Sequence, residues 1–260
     1  MWQKFWQHFL VDTTVLKRTQ ERIQQLIDEY TPQRLIEIGP GQWALTQYLL
    51  KLHGNHLLTA IETDERLKKY LTQWQFKDLD ILRGDVLQQP IQQCWESYLV
   101  VGNLPYYITS PIFLKLFWEN TKNSMKSACF GGVFLIQREV ARKVDSLSSK
   151  KSYLWRCMQY TYDVQYEFTV WPECFAPPPK VNSAVISVTR REWAQRSFSY
   201  ARMIAFLDIV SQYTRKSLGK IFTMRKEDLV QMSCRLPEHL RMKRVEALSW
   251  EEMGEVLTYM

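Results

Sequence analysis

Short apolar runs and longer stretches with helical spacing alternate along the first half of the chain. The apolar runs predict buried strands, and apolar side chains recur every three or four positions in the stretches that follow them. A first amphipathic helix is predicted over residues 14–30. Strands are predicted at 34–38, 57–61, 79–82, 98–101 and 132–136, and further helices at 43–52, 65–75, 111–118 and 138–144. This alternation predicts an α/β fold with a mostly parallel sheet and helices on both faces.

The pattern changes in the second half of the chain. Residues 154–162 have helical spacing, and residues 165–170 and 185–189 predict two strands that form an antiparallel edge around a Pro-rich loop. After Arg190 the pattern is helical to the end, with breaks near Gly219 and Pro237. We therefore predict a Rossmann-like domain over residues 1–193 and a small helical domain over residues 194–260. The aromatic stretch 4–12 is expected to be held against the rest of the protein.

Four predicted strands end in residues suited to binding a nucleoside. Gly39 and Gly41 follow the first strand, Glu62 ends the second, Asp85 follows the third and Asn103 follows the fourth. Taken singly, each has an ordinary explanation as a tight turn, a solvated acid or a helix cap. Parallel strands bring their carboxyl ends to one edge of the sheet, so together these residues predict a nucleoside site there.

The roles in this site follow from the side chains. The Glu62 carboxylate is suited to accept both hydroxyls of a ribose, and Asp85 is suited to accept from an adenine amine. The dinucleotide fingerprint has a third glycine three positions after Gly41, but Ala44 stands there. The motif therefore favours a nucleoside with an uncharged tail over a phosphorylated cofactor.

The segment from Asn103 to Tyr106 predicts the reactive centre. The amide oxygen of Asn103 and the main-chain carbonyl of Leu104, which Pro105 fixes, can together accept both hydrogens of an exocyclic amine. Tyr106 offers a ring on which a base can stack. An isolated motif of this kind is more often a simple turn. Next to a nucleoside site it predicts a grip on an exocyclic amine beside a reactive centre.

The charge of the chain indicates an anionic binding partner. The net charge is +7 and the isoelectric point is near 9.1. The candidate phosphate contacts are Arg138, Arg142, Lys143, Lys150, Lys151, Arg215, Lys216, Lys220, Arg225 and Lys226. The five cysteines are scattered without a C-x-x-C motif, which indicates reduced thiols and no metal site. No apolar run is long enough to span a bilayer, so we expect a cytoplasmic protein without a membrane partner.

At this point the sequence resembles a known family, the small-subunit ribosomal RNA adenine dimethyltransferases (the KsgA family). The resemblance runs from about residue 7 to residue 190 and is weaker beyond. The matching motifs are Gln7-His8-Phe9-Leu10, Glu37-Ile38-Gly39-Pro40-Gly41, Ile61-Glu62, Gly84-Asp85, Gly102-Asn103-Leu104-Pro105-Tyr106, Gln137-Arg138-Glu139-Val140-Ala141 and the Pro-rich block at 175–185.

The resemblance implies an S-adenosylmethionine-dependent enzyme with a class I methyltransferase sheet. His8 and Leu10 would close over the donor, Gly39 and Gly41 would approach its amino-acid end, and Asn103 would lie beside the sulfonium. Tyr106 and Phe175 would sandwich the target base. The implied substrate is a pair of adjacent adenosines near the 3′ end of small-subunit rRNA, each methylated twice on the exocyclic nitrogen during subunit maturation. The helical domain would bind RNA or the ribosome, and the protein would act as a monomer.

Three alternatives stay open at this point. The related large-subunit rRNA methyltransferases that confer macrolide resistance share the first glycine motif, although the full Pro-rich block favours the small-subunit enzymes. A non-catalytic assembly factor would keep the RNA-binding surface without transferring methyl groups. A DNA adenine methyltransferase shares a similar Asn-Pro-Tyr chemistry, but it usually carries a large target-recognition domain that this sequence lacks.

Overall fold

The computed structural model describes residues 8–67, 79–91, 97–119, 128–149, 151–191, 200–213, 215–224 and 234–259. The chain divides into two compact units. The first unit contains Met1–Leu147 and Cys157–Arg191, and the second contains Ser148–Arg156 and Glu192–Met260. The division expected from the sequence, at residues 193 and 194, therefore differs over residues 148–156, which pack with the second unit.

The first unit is built on a seven-stranded sheet with the order β4-β3-β2-β5-β6-β9-β7. Strands β2 to β6 run parallel, and β9 runs antiparallel to both β6 and β7. The predicted fold class is thus confirmed: the sheet is mostly parallel, with the antiparallel strands at one side. The strands of this sheet are β2 (Arg34–Ile38), β3 (Leu57–Glu62), β4 (Leu79–Arg83), β5 (Tyr98–Asn103), β6 (Cys129–Gln137), β7 (Tyr162–Val170) and β9 (Ser183–Arg190).

A second, two-stranded sheet ties the beginning of the chain to the Pro-rich loop. Strand β1 (Phe9–Leu10) pairs antiparallel with β8 (Phe175–Ala176), and Leu10 lies opposite Phe175. Within the aromatic segment expected to be held against the protein, the described residues 9–12 are held by main-chain hydrogen bonds. Residues before His8 lie outside the described ranges.

Helix α1 (Thr13–Tyr30) covers one face of the sheet. The side chain of Asp12 caps its first turn by accepting from the Val15 amide at 2.9 Å. Its apolar side chains recur at helical spacing and pack in a core with residues of β2, β5, β6 and β9. The buried residues of this helix are Val15, Leu16, Thr19, Ile23, Leu26 and Ile27.

Strand β6 shows how both faces of the sheet are covered. Val133 and Leu135 point into the core beneath α1, and Phe134 points to the opposite face because side chains alternate along a strand. There its ring packs edge-on against Phe113 at 5.2 Å and Phe117 at 5.8 Å. Phe113 ends helix α3 (Thr109–Phe113), and Phe117 lies in the π-helical turn Leu114–Glu119.

Two predicted helices differ from the observed elements. Instead of residues 43–52, helix α2 spans only Thr46–Leu49. Trp43, with φ of 72°, has a left-handed backbone that interrupts a helix at that point. Of the predicted helix at 65–75, the structure shows the 3₁₀ turn Glu65–Leu67, and residues 68–75 lie outside the described ranges.

Two further helices lie between β6 and β7 in the chain, and the second unit contains four further described helices. Helix α4 is Arg138–Val144 and helix α5 is Tyr153–Thr161, which passes from the second unit into the first. The second unit contains α6 (Tyr200–Val210), α7 (Leu218–Thr223), α8 (Glu238–Met242) and α9 (Trp250–Thr258). Arg156 is buried within this unit and donates to the Val245 carbonyl at 2.6 Å.

Among the described helices, none combines the length and the apolarity needed to cross a bilayer.

Candidate active site

A cavity of about 130 Å³ lies at the carboxyl ends of β2, β3, β4 and β5. One side of it, which we call the carboxylate half, contains Gly39, Gly41, Glu62, Asp85 and Glu37. The other side, which we call the amide half, contains His8, Asn103, Leu104, Pro105 and Tyr106. Leu10 also lines the cavity. The structure therefore brings together all the residues predicted for the site except Phe175.

Glu62 is held rigidly in the carboxylate half. It is buried, and its two carboxylate oxygens accept from the Gly41 amide at 3.2 Å and from the Asp64 amide at 2.8 Å. Burial raises the pKa of Glu62, while these amide hydrogen bonds favour the ionised form and oppose that rise. Each oxygen accepts up to two hydrogen bonds, so the carboxylate keeps acceptor capacity for a diol.

The turn after β2 brings main chain close to the cavity. Gly39 and Gly41 have φ of 66° and 58°, in the left-handed region that favours glycine. A Cβ on Gly41 would lie 3.1 Å from the Phe9 ring. A side chain here would therefore push away the ring that packs over the turn, and glycine lets β1 approach the cavity.

Asp85 is fixed in a similar local way. The half-buried residue follows Gly84, and its Oδ1 accepts from the Leu87 amide at 2.9 Å. Asp85 is thus oriented by an amide two residues away, whereas Glu62 is also held by the Gly41 amide, 21 residues away in the chain.

Glu37 is a cavity residue that the sequence analysis named only as part of a motif. It is 1% exposed, and its carboxyl group accepts from the Thr46 hydroxyl at 2.6 Å. Burial raises the pKa of Glu37 to about 8, the Thr46 hydrogen bond opposes the rise, and the nearby Glu62 adds to it. Burial therefore favours the protonated form of Glu37. A strand buried on both faces carries no polar alternation that would have shown which face this residue occupies.

In the amide half, Asn103 is oriented by a hydrogen bond to His8. Its Nδ2 donates to the His8 main-chain carbonyl at 3.1 Å. A carbonyl only accepts, so the amide nitrogen faces His8 and the amide oxygen points the other way. The strand can deliver Asn103 here because Gly102 has no side chain: a Cβ at that position would lie 2.5 Å from the Ile38 carbonyl oxygen.

The residues after Asn103 form a tight turn in which Leu104 is buried and Tyr107 is exposed. The Leu104 amide donates to the Leu135 carbonyl at 3.0 Å, and the Leu104 side chain is fully buried. The Pro105 carbonyl accepts from the Ile108 amide and from the Thr109 hydroxyl, both at 3.1 Å. This pairing anchors the turn to the start of α3. That the Leu104 carbonyl holds an amine hydrogen stays a prediction.

Tyr106 is anchored by its hydroxyl group and faces another ring. Its hydroxyl lies 2.5 Å from the hydroxyl of Ser183, the buried first residue of β9. Burial raises the pKa of Tyr106, and the Ser183 hydrogen bond opposes that rise. The Tyr106 ring faces the His8 ring at a centroid distance of 6.1 Å and an interplanar angle of 28°. The His8 Nδ1 is in turn 2.8 Å from the Pro177 carbonyl oxygen.

Phe175 is not part of this arrangement. Its ring is 3% exposed and packs in the core with residues of α1 and of the central strands. The reason is its register: β8 pairs with β1, Phe175 lies opposite the buried Leu10, and both side chains enter the apolar core. In this structure the Phe175 ring is therefore turned away from the cavity, and the sandwich of a base between Tyr106 and Phe175 stays a prediction.

The candidate phosphate contacts lie on both units. In the first unit Arg138 and Arg142 lie on α4, and Lys143 on the same helix pairs with Glu139 at 2.7 Å. In the second unit Lys151 lies over the Trp155 ring. Lys216 lies over the Tyr213 ring, and Arg215 and Lys220 are exposed. Lys150, Arg225 and Lys226 fall outside the described residues. The role of these cations in RNA binding stays a prediction.

A family model described as "Ribosomal RNA adenine dimethylase" matches residues 2–258. A ribosomal RNA small subunit methyltransferase A from Porphyromonas gingivalis is 37% identical over 193 residues, covering 72% of this chain and 70% of its own. A protein of the same name from Legionella pneumophila is 32% identical over 232 residues, covering 87% of this chain and 82% of its own.

Two solved structures are similar over nearly the whole chain. A dimethyladenosine transferase from Plasmodium falciparum has a TM-score of 0.72 and 21% identity, and covers 96% of both chains. The 23S rRNA methyltransferase ErmE has a TM-score of 0.69 and 20% identity, and covers 96% of this chain and 99% of its own. At these identities the likeness shows a shared fold.

The sequence matches show the family, whereas the solved structures show the fold alone. The family model spans almost every residue, and the curated relatives exceed 30% identity over more than two thirds of the chain. The chain belongs to the ribosomal RNA adenine dimethylase family.

Proposed function

We propose that this protein transfers methyl groups from S-adenosylmethionine to the exocyclic nitrogens of two adjacent adenosines near the 3′ end of small-subunit rRNA. Each adenosine receives two methyl groups. The observation that carries the proposal is the single cavity that joins the carboxylate half to the amide half. The relatives named above as small-subunit methyltransferases favour this RNA over large-subunit rRNA.

The carboxylate half suits the methyl donor. Glu62 presents a rigid pair of acceptors for the ribose hydroxyls, and Asp85 presents an acceptor for the adenine amine. The turn at residues 39–46 contains no lysine or arginine to pair with a phosphate. Its glycines allow close main-chain approach to an amino-acid tail, and His8 and Leu10 close the cavity above it. When bound, the donor supplies a methyl group activated by a sulfonium.

The amide half suits the acceptor amine. The lone pair of an adenine amine is delocalised into the ring, so the nitrogen is a poor nucleophile. The Asn103 amide oxygen and the Leu104 carbonyl accept the two amine hydrogens and favour the pyramidal nitrogen that attacks. The chain need not supply a strong base, and the main catalytic effect is positioning.

We propose further that the substrate is a partly assembled small subunit and that the protein acts on it as a monomer in the cytoplasm. Residues 194–260 would contact the RNA or the ribosome. Phosphate contacts by the cations named above would position the RNA without reading its sequence. Binding would therefore weaken steeply with salt.

The test is methyl incorporation from labelled S-adenosylmethionine into small subunits that lack the modification, with large-subunit RNA incubated in parallel. We expect dimethyladenosine in digested small-subunit rRNA only. Incorporation confined to the large-subunit RNA would instead support an enzyme of the macrolide-resistance type. Tight subunit binding without any incorporation would support a non-catalytic assembly factor.

A further inference from the structure

We propose that Lys115 is a positioning residue of the donor site, which holds the turn that carries Asp85 and thereby makes the site selective for adenine. Lys115 is not among the described residues that line the cavity, so it acts through the turn and not by contact with the donor. The inference rests on the proposed function and deepens it, because it adds a residue that the resemblance did not assign.

The first step is the place of Lys115 in an apolar run. It is the one charged residue between Ile112 and Phe117. It lies in the π-helical turn after α3, where the buried rings of Phe113 and Phe117 pack against Phe134 of β6. These ring contacts fix the turn against the sheet. Lys115 itself is half-buried, and an ammonium removed from water needs an acceptor.

The second step is the acceptor that Lys115 finds, which is main chain of the donor site. The Lys115 Nζ donates to the Leu87 carbonyl. The N–H of the same peptide group belongs to Gln88 and donates to the Asp85 main-chain carbonyl at 2.9 Å. The Leu87 amide donates to the Asp85 Oδ1, also at 2.9 Å. Two successive amides therefore hold Asp85, and Lys115 holds the peptide group that supplies one of them.

The third step is what the ammonium adds to this turn. A hydrogen bond from an ammonium is charge-assisted and stronger than one between neutral groups. It also polarises the peptide group, so that the Gln88 N–H becomes a better donor to Asp85. Gln88 is exposed and Leu87 is half-buried, so water competes for the other hydrogen bonds of the turn. The part of the donor that depends on this turn is the adenine amine, for which Asp85 is the proposed acceptor.

The experiment compares two ligands that differ at the adenine amine. S-Adenosylhomocysteine carries the amine, whereas S-inosylhomocysteine carries an oxygen there, which cannot donate to Asp85. Calorimetry gives the affinity of each ligand, and initial rates with S-adenosylmethionine give kcat and the donor KM. The ratio of the two affinities is the adenine preference.

The variants separate the ammonium from the rest of the side chain. Lys115→Met keeps the apolar stem and removes the ammonium, and Lys115→Arg keeps a cationic donor. Lys17→Met, at an exposed position of α1, is the matched control. Asp85→Asn is measured alone and together with Lys115→Met, because a residue that acts through Asp85 should add nothing once that carboxylate is gone.

We expect the wild type to prefer S-adenosylhomocysteine by about tenfold or more, as for a hydrogen bond to a charged group. Lys115→Met should bind S-adenosylhomocysteine about three- to tenfold more weakly and change by less than about twofold for S-inosylhomocysteine. Its donor KM should rise in parallel with the first of these losses, with kcat near that of the wild type. Lys115→Arg and Lys17→Met should keep the adenine preference, and Asp85→Asn should lose it.

Three results would overturn the proposal. In the first, Lys115→Met weakens both ligands by the same factor, which is the result of a general loosening of the fold. In the second, Lys115→Met keeps the adenine preference, or its loss adds fully to that of Asp85→Asn. In the third, the wild type has no preference, so Asp85 does not accept from the amine. All three leave the proposed function intact if the wild type methylates small-subunit rRNA. Absence of that methylation, with the adenine preference lost in Lys115→Met, would contradict the proposed function alone.

Discussion

The two halves of the cavity are built in different ways. In the carboxylate half, the acids are held by amides in the turns at the strand ends, at most 21 residues away in the chain: Glu62 by Asp64 and Gly41, and Asp85 by Leu87. In the amide half, the contacts join segments that are far apart. Asn103 is held by His8, Tyr106 by Ser183, and His8 by Pro177.

The two halves of the cavity therefore depend on different parts of the structure. A local turn forms its contacts whenever the strand before it is in place, so the carboxylate half depends mainly on the parallel sheet. The amide half exists only when the beginning of the chain and the Pro-rich loop are both docked, as β1 and β8 are by their pairing. We therefore expect substitutions in the two halves to affect different kinetic quantities.

The largest effect is expected in the amide half, from Asn103→Ala. Removal of the oxygen that accepts from the amine should lower kcat on the order of 1000-fold, comparable to the loss of one preorganised hydrogen-bonding group at a reaction centre. Binding of S-adenosylhomocysteine, measured by calorimetry, should remain. Full activity in this variant would remove the proposed mechanism.

The next effect is expected in the carboxylate half, from Glu62→Gln. The amide would place an N–H against the Gly41 or Asp64 amide and would lose a charged acceptor. Donor affinity should fall roughly 10- to 100-fold, as for loss of one hydrogen bond to a charged group. Unlike Asn103→Ala, this variant should recover near-normal kcat at saturating donor. If kcat falls and donor affinity is unchanged, the division of labour between the halves is wrong.

A smaller effect is expected from Ser183→Ala, which removes the anchor of Tyr106 and keeps its ring. Loss of one neutral hydrogen bond should lower kcat/KM for RNA by about two- to tenfold. The control is Tyr106→Phe, which removes the same bond from the other side. If Ser183 acts through Tyr106, the double variant should be no worse than the poorer single variant. Additive losses would show that Ser183 acts elsewhere.

The smallest effect on transfer is expected from Glu37→Gln, whose consequence is a pH dependence of stability. The pKa of Glu37 is about 8 in the folded protein and 4.5 in the unfolded chain. Between these two pH values the folded state therefore binds one proton more than the unfolded state. Its contribution to stability is therefore complete below pH 4.5 and is lost as the pH rises through 8.

Thermal unfolding of the wild type and of Glu37→Gln, measured from pH 5 to pH 9, tests this sign. Glutamine keeps an oxygen for the Thr46 hydroxyl and does not titrate. The melting temperature of the wild type should fall relative to that of the variant as the pH rises. A constant difference across the range would show that Glu37 does not bind a proton over this interval.

Much of the fold was readable from the sequence because its signals are local. Alternating apolar runs and helical stretches predicted the parallel strands and the long helix α1. The length of α2 could not be predicted, because no sequence pattern indicates the left-handed backbone of Trp43. The packing of residues 148–156 with the second unit depends on long-range contacts of the kind that Arg156 makes with Val245.

The candidate site, like the fold, could be predicted only where local signals define it. Residue types at the ends of successive strands were enough to place Gly39, Glu62, Asp85 and Asn103 at one edge, since parallel strands share that edge. The burial of Glu37 could not be read from a strand that is apolar on both faces. The place of Phe175 could not be read either, because the register between β1 and β8 decides whether its ring enters the core.

The type of fold, the order of the strand ends and the chemistry at each strand end follow from the sequence, because hydrophobic period and turn residues act over a few positions. Only the tertiary structure decided which ring faces Tyr106, how the Asn103 amide is turned and which acid is buried beneath the glycine turn. These features depend on pairing and packing between segments that are distant in the chain, and the loss of water from a side chain happens only when those segments meet.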